Sequence, residues 1–70
     1  MSMSEKIRIM LIKRKTNISG LAAILGTSQG NLSNKLKRDN FSEKELVEIG
    51  NALNYDFIGI FRSRDTGEEI

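Results

Sequence analysis

The sequence predicts a mainly α fold, with four helices followed by a short C-terminal β-strand or hairpin, in a single domain spanning residues 1–70. Three observations predict it. Apolar residues recur at three- and four-residue spacing in four separate segments, the rhythm of helices with one buried face. A Ser or Asn stands before each segment (Ser2, Asn17, Ser28 and Ser42), where a side-chain oxygen can accept a free first-turn N–H. Past Tyr55 the composition turns β-branched and aromatic, in Asp56-Phe57-Ile58-Gly59-Ile60-Phe61-Arg62-Ser63, and ends in the turn chemistry of Asp65-Thr66-Gly67-Glu68.

The first helix is expected over about 3–14. Ser2 and Glu5 have capping-box spacing, and Met3, Ile7, Met10, Leu11 and Arg14 make one face, widened by Ile9 and Ile12. Its end, Lys13-Arg14-Lys15, suits the negative pole of the helix dipole and equally suits phosphate contact; the two roles are compatible. The second helix is expected over 18–25, with Leu21, Ala22, Ile24 and Leu25 as its stripe. Gly26 then stands where the chain must turn through positive φ. A third helix over 29–37 follows, with Leu32 and Leu36 on its inner face. Arg38-Asp39-Asn40-Phe41 is a loop anchored by Phe41. Ser42 and Glu45 make a second capping box for a helix over 43–53, striped by Leu46, Ile49 and Leu53, flanked by Val47 and Ala52, and closed at Asn54. The strand is expected over 57–63 with its turn at 65–68; a fifth short helix is the alternative there, against which Gly59 weighs by about 1 kcal/mol relative to Ala.

A helix, a short glycine turn and a second helix with a polar outer face make a helix-turn-helix. On a wheel of about 100° per residue, Leu32 and Leu36 point one way. Gly30, Asn34, Lys37 and Arg38 point the other, with Asn31 and Ser33 at the borders and no carboxylate before Asp39. Amides and hydroxyls able to read base edges therefore lie beside cations able to meet phosphates. The competing reading is a helix face that is polar only because it meets water.

The stretch L-A-A-I-L-G-T-S-Q-G-N-L-S-N-K-L resembles the Cro- and lambda-repressor-type helix-turn-helix family. The match rests on Leu21-Ala22, Gly26, Thr27-Ser28, Gln29 and Leu32, and extends over about Ile7 to Leu53. Where the family places an apolar residue nine positions after the turn glycine, this chain has Lys35, and Leu36 takes the buried role. The resemblance implies a four-helix, repressor-like domain whose third helix enters the major groove of DNA. Base reading is then expected from Gln29, Gly30, Asn31, Ser33 and Asn34. Gln and Asn can bond bidentately to adenine, and Gly30 lets the backbone approach or leaves room for a thymine methyl, unless it is merely a tolerated weak helix position. Phosphate contacts are expected from Lys15, Lys37, Arg38 and Asn40, and from the helix N-termini marked by Asn17 and Ser28. A single module makes few base contacts, so the motif commonly works in pairs. Phe57, Ile58, Ile60 and Phe61 are left over after the helices take their core positions and form the expected homodimer interface. A hairpin folded back on its own domain is the other reading.

Charge distribution agrees. Residues 1–38 carry eight cations against Glu5 alone, whereas residues 39–70 carry three cations against eight carboxylates. A basic half and an acidic half suit a polyanion on one side only. With 39% apolar and 29% charged residues the composition is that of a globular domain. A chain this short buries only about 60% of its unfolded surface, so dimerisation would add to a marginal stability. There is no cysteine and no histidine, which excludes disulfides and thiolate metal sites and leaves serine without its usual base. No G-x-G-x-x-G or P-loop, paired catalytic carboxylate or metal-ligand spacing is present, so no enzyme and no cofactor is expected. No signal-peptide or membrane-spanning pattern occurs, and a cytoplasmic protein is expected. The expected function is sequence-specific binding of double-stranded DNA in transcription regulation, as a repressor on a pseudo-palindromic operator. The alternative is a protein-interaction module of the same fold, an antitoxin or anti-repressor, kept open by the acidic second half.

Overall fold

The computed structural model describes residues 1–70 and contains four helices and no sheet: α1 (Met3–Lys13), α2 (Ile18–Leu25), α3 (Gln29–Arg38) and α4 (Glu43–Leu53). All four expected helices form, each within one residue of its expected bounds. No helix is long and apolar enough to cross a membrane.

The helix starts follow from local hydrogen bonding. Ser2 Oγ accepts the Glu5 N–H at 3.1 Å, and Glu5 Oε1 accepts the Ser2 N–H at 3.2 Å; Ser42 and Glu45 repeat this at 3.1 and 2.9 Å. Asn17 Oδ1 accepts the Gly20 N–H at 2.8 Å, and Ser28 Oγ accepts the Asn31 N–H at 3.1 Å. These bonds satisfy donors that a helix start otherwise leaves open. Each helix is followed by a residue in the left-handed region: Lys15 (φ 56°), Gly26 (73°), Asp39 (52°) and Asn54 (62°). After α1 the Thr16 N–H donates to the Leu11 carbonyl and the Lys15 N–H to that of Ile12, and the ends of α2 and α4 are built similarly.

α2 lies at the centre and packs on both α3 and α4. The core is Ile7, Leu11, Leu21, Ala22, Leu32, Leu36, Ile49 and Leu53, with Leu21 fully enclosed. Met3, Met10, Ile18, Leu25, Phe41, Leu46, Ala52 and Tyr55 pack around it, half-buried. Four expected core residues lie outside it. Ile9 and Ile12 fall on the arc of α1 opposite Ile7 and Leu11, and Ile12 is 75% exposed. Ile24 of α2 is also exposed. Val47, expected beside the α4 stripe, is exposed as well.

Two polar ties close the bundle. Ser4, the second residue of α1, is buried; its N–H donates to Asp39 Oδ1 at 2.8 Å. Its hydroxyl is 2.7 Å from the Leu36 carbonyl and 2.9 Å from Asp39 Oδ1. The end of α3 is thereby joined to the start of α1. Arg14 joins α1 to the end of α4: Nε donates to the Leu53 carbonyl at 2.8 Å and Nη2 to that of Asn54 at 3.1 Å, with the guanidinium 4.2 Å from the centre of the Tyr55 ring. A cation there opposes the negative pole of α4.

The expected strand over 57–63 does not form, nor does a fifth helix. The only pairing is one antiparallel bridge between Arg62 and Glu69, around a turn at 64–66 with Gly67 at φ 77°. Phe61 and Ile70 exchange two N–H···O bonds of 2.8 Å, and the Ser63 N–H donates to the Glu68 carbonyl at 2.7 Å. A strand needs a neighbour to take its N–H and C=O groups. The return limb reaches only as far as Phe61, so Phe57 to Ile60 have none. Tyr55 to Phe57 instead pass close over α4 at Gly50. Gly59 still lies beside Glu43 at the start of α4 and the Phe57 ring; the exposed residues beyond it form a C-terminal arm, and the molecule measures 43 × 23 × 20 Å. Its radius of gyration, 13.7 Å, exceeds the roughly 11 Å of a compact chain of this length.

Candidate functional site

The polar face of α3 is set by the two leucines behind it. Leu32 and Leu36 are buried against α2 and the rest of the core, which fixes the rotation of the helix. Lys35 is on the surface, and Leu36 takes the buried position beside it. Gly30, Asn31, Asn34, Lys37 and Arg38 are exposed, as is Gln29 at the first turn, while Ser33 is half-buried at the border. The expected outward arc is thus the one the packing presents, with Ser33 its least accessible member.

Two of the three cations on α3 are free. Of the cations on α3, Lys35 pairs with a carboxylate, Glu45 of α4, and Lys37 and Arg38 pair with none; Lys15, after α1, is unpaired too. The Lys35 ammonium and the Ser42 backbone N–H hold the Glu45 carboxyl down at about 2, against an ordinary 4.5. The pair neutralises one cation of α3 and leaves two beyond it.

The helix N-termini add donors. Asn17 and Ser28 use their oxygens to cap the third N–H of α2 and α3. The first two N–H groups of each, on Ile18 and Ser19 and on Gln29 and Gly30, find no acceptor within the chain. Open N–H groups at a positive dipole end suit an anion. One surface groove gathers Asn17, Ser19, Arg8, Thr16 and Gln29, so the start of α2 and the start of α3 share a border. A second, of about 440 Å³, runs along the other side of α3 past Thr27, Asn31, Asn34 and Arg38 to Glu45 and Glu48 of α4. Asn40 is exposed in the loop after α3, and Lys15 stands exposed at the end of α1. Arg8, Ser19 and Thr27 were not among the expected site residues. They line these grooves because α1, the start of α2 and the turn lie beside α3, and their own spacing carries no signal.

The expected interface residues divide. Phe57 is half-buried and, with Met3, Ile7, Met10 and Leu46, lines a small apolar pocket between α1 and α4, so it serves its own domain. Ile58, Ile60 and Phe61 are exposed on the arm, Ile58 to 77% and Phe61 to 84%.

No family model, curated protein or solved structure matches the chain.

Proposed function

We propose that this protein is a sequence-specific DNA-binding transcriptional regulator of the helix-turn-helix class, a cytoplasmic repressor that lays α3 in the major groove. The observation that carries this reading is the outer face of α3. It offers exposed carboxamides at Gln29, Asn31 and Asn34, unpaired cations at Lys37 and Arg38, and no carboxylate. Base edges are read by the amides, each good bidentate pair being worth about 1–3 kcal/mol of discrimination. Phosphates are held by Lys37, Arg38, Asn40 and Lys15, and by the open N–H groups at the starts of α2 and α3. Two copies joined through the arm would present two such helices to half-sites about 34 Å apart.

Selection of bound sequences from a random duplex pool tests this reading. The parent protein is expected to recover one motif, and Gln29→Ala and Asn34→Ala each to relax preference at particular positions while keeping the fold. Unchanged discrimination in both variants would remove these residues from base reading. The exposed apolar arm favours a second reading, a module whose main partner is a protein. Salt separates the two: duplex affinity should fall with a log–log slope of about −0.9 per phosphate neutralised, whereas a protein-binding module would bind duplex weakly even at low salt.

A further inference from the structure

We infer that Gly30 is a specificity-determining position, and that the gap left by its missing side chain receives the 5-methyl group of a thymine. The inference rests on α3 being the DNA-reading helix. Glycine is a weak helix former, so its place in the first turn of α3 calls for a reason. At the other glycines the fold supplies one. Gly26 and Gly67 hold positive φ. A Cβ on Gly50 would lie 2.6 Å from the Tyr55 carbonyl oxygen, one on Gly20 would lie 2.5 Å from Thr16 Oγ1, and one on Gly59 would press on the Phe57 ring at 3.3 Å. Gly30 has no such reason: its φ is not positive, and a Cβ there would meet nothing within 4 Å. Nothing inside the molecule asks for glycine at the second residue of α3. The reason lies with whatever α3 touches.

The surroundings narrow what that is. Gly30 is exposed on the arc opposite Leu32 and Leu36. Gln29 precedes it and Asn34 stands one turn on, within about 5–6 Å on the same helical face. Both carry carboxamides, which match adenine N6 and N7. An adenine read from the major groove brings its paired thymine, whose methyl projects into the same groove. Between two taller amides, the bare Cα is an apolar depression one methyl group deep. A thymine methyl has the size and polarity to occupy it.

The test exchanges methyl groups between protein and DNA. The duplex recovered by the parent protein from a random pool is resynthesised with each thymine in turn replaced by uracil, and affinity is measured by fluorescence anisotropy for the parent protein and for Gly30→Ala. At one T·A pair of the half-site, uracil should weaken the parent protein about fourfold, the loss of one buried methyl. Gly30→Ala should weaken binding to the thymine duplex about tenfold through overpacking. Uracil at that same pair should restore most of the loss, because one methyl was added where the other was removed. Thermal melting of the free variant should rise by about 5 °C, as expected for Gly to Ala in an open helix position, so that weaker binding is not unfolding. Undiminished binding by Gly30→Ala, or losses that are equal on thymine and uracil duplexes at every position, would overturn the inference while leaving DNA reading intact. Failure of the parent protein to select any duplex would overturn both.

Discussion

Ser4 joins two helices with one N–H and one hydroxyl. The N–H would otherwise be an open donor of the first turn of α1, and Asp39 accepts it from the far end of α3. The single hydroxyl proton is shared between the Leu36 carbonyl and Asp39 Oδ1. Ser4→Ala should therefore destabilise the chain by about 1–2 kcal/mol, read as a lower midpoint in urea, because partly buried acceptors lose their donor. A midpoint unchanged from the parent would mean that water replaces the hydroxyl at no cost. Little in the sequence marks Ser4 or Asp39. Ser4 lies one position inside a helix whose capping box is complete without it, and Asp39 looks like any loop acid.

The helices are held in place by where other elements touch them. Gly50 of α4 is buried under the chain that leaves that helix, and its missing Cβ is the space the Tyr55 carbonyl fills. Gly50→Ala should lift the segment from Tyr55 to Phe57, at a cost of about 1–3 kcal/mol. Since Gly30→Ala is expected to stabilise, opposite shifts of the two melting temperatures check the packing directly. Between α3 and α4 the Lys35–Glu45 pair adds a pH dependence. The Glu45 carboxyl, held down at about 2, stays charged in the folded chain when an ordinary carboxyl at 4.5 would already bind a proton. The unfolded chain therefore binds more protons between these values, and stability must fall as pH drops from about 4.5 towards 2. The contribution is fully present above 4.5. Lys35→Met should flatten that part of the profile in urea melts run from pH 6 to pH 2. An identical profile in the variant would show that the pair is undone by solvent at this partly exposed site.

At the scale of the whole molecule, charge and exposed apolar surface fall on different segments of the chain. The unpaired cations Lys37 and Arg38 lie on α3, and Glu45 and Glu48 of α4 fence that face on one side. An anion approaching α3 meets a border there, which restricts its register. The arm carries Ile58, Ile60, Phe61 and Ile70, all exposed. Apolar surface and unpaired backbone of this kind suit a second copy of the same segment. The proposed dimer predicts a twofold mass by light scattering at micromolar concentration, reduced to the monomer by Ile60→Asp. A parent chain that is monomeric there, with Ile60→Asp binding duplex equally well, would remove the arm from the assembly.

What the sequence determined by itself is local. Ser2, Asn17, Ser28 and Ser42 mark the helix starts because a cap needs only a side chain and an N–H two or three residues away. Gly26 and Asn54 mark two of the four left-handed ends because those residue types tolerate positive φ. Leu32 and Leu36 orient α3 because periodicity and burial agree within one helix. The tertiary structure decided the rest. It put Lys15 in the left-handed region despite its type, and Asp39 there with its carboxylate accepting the Ser4 N–H. It turned Arg14 from an expected cation at the end of its own helix, or a phosphate contact, into the cap of α4. It left Ile9, Ile12 and Ile24 outside the core and denied residues 57–60 a neighbouring strand. Each of these depends on what lies across a gap between elements distant in the chain. A side chain's spacing along its own helix carries no record of that neighbour.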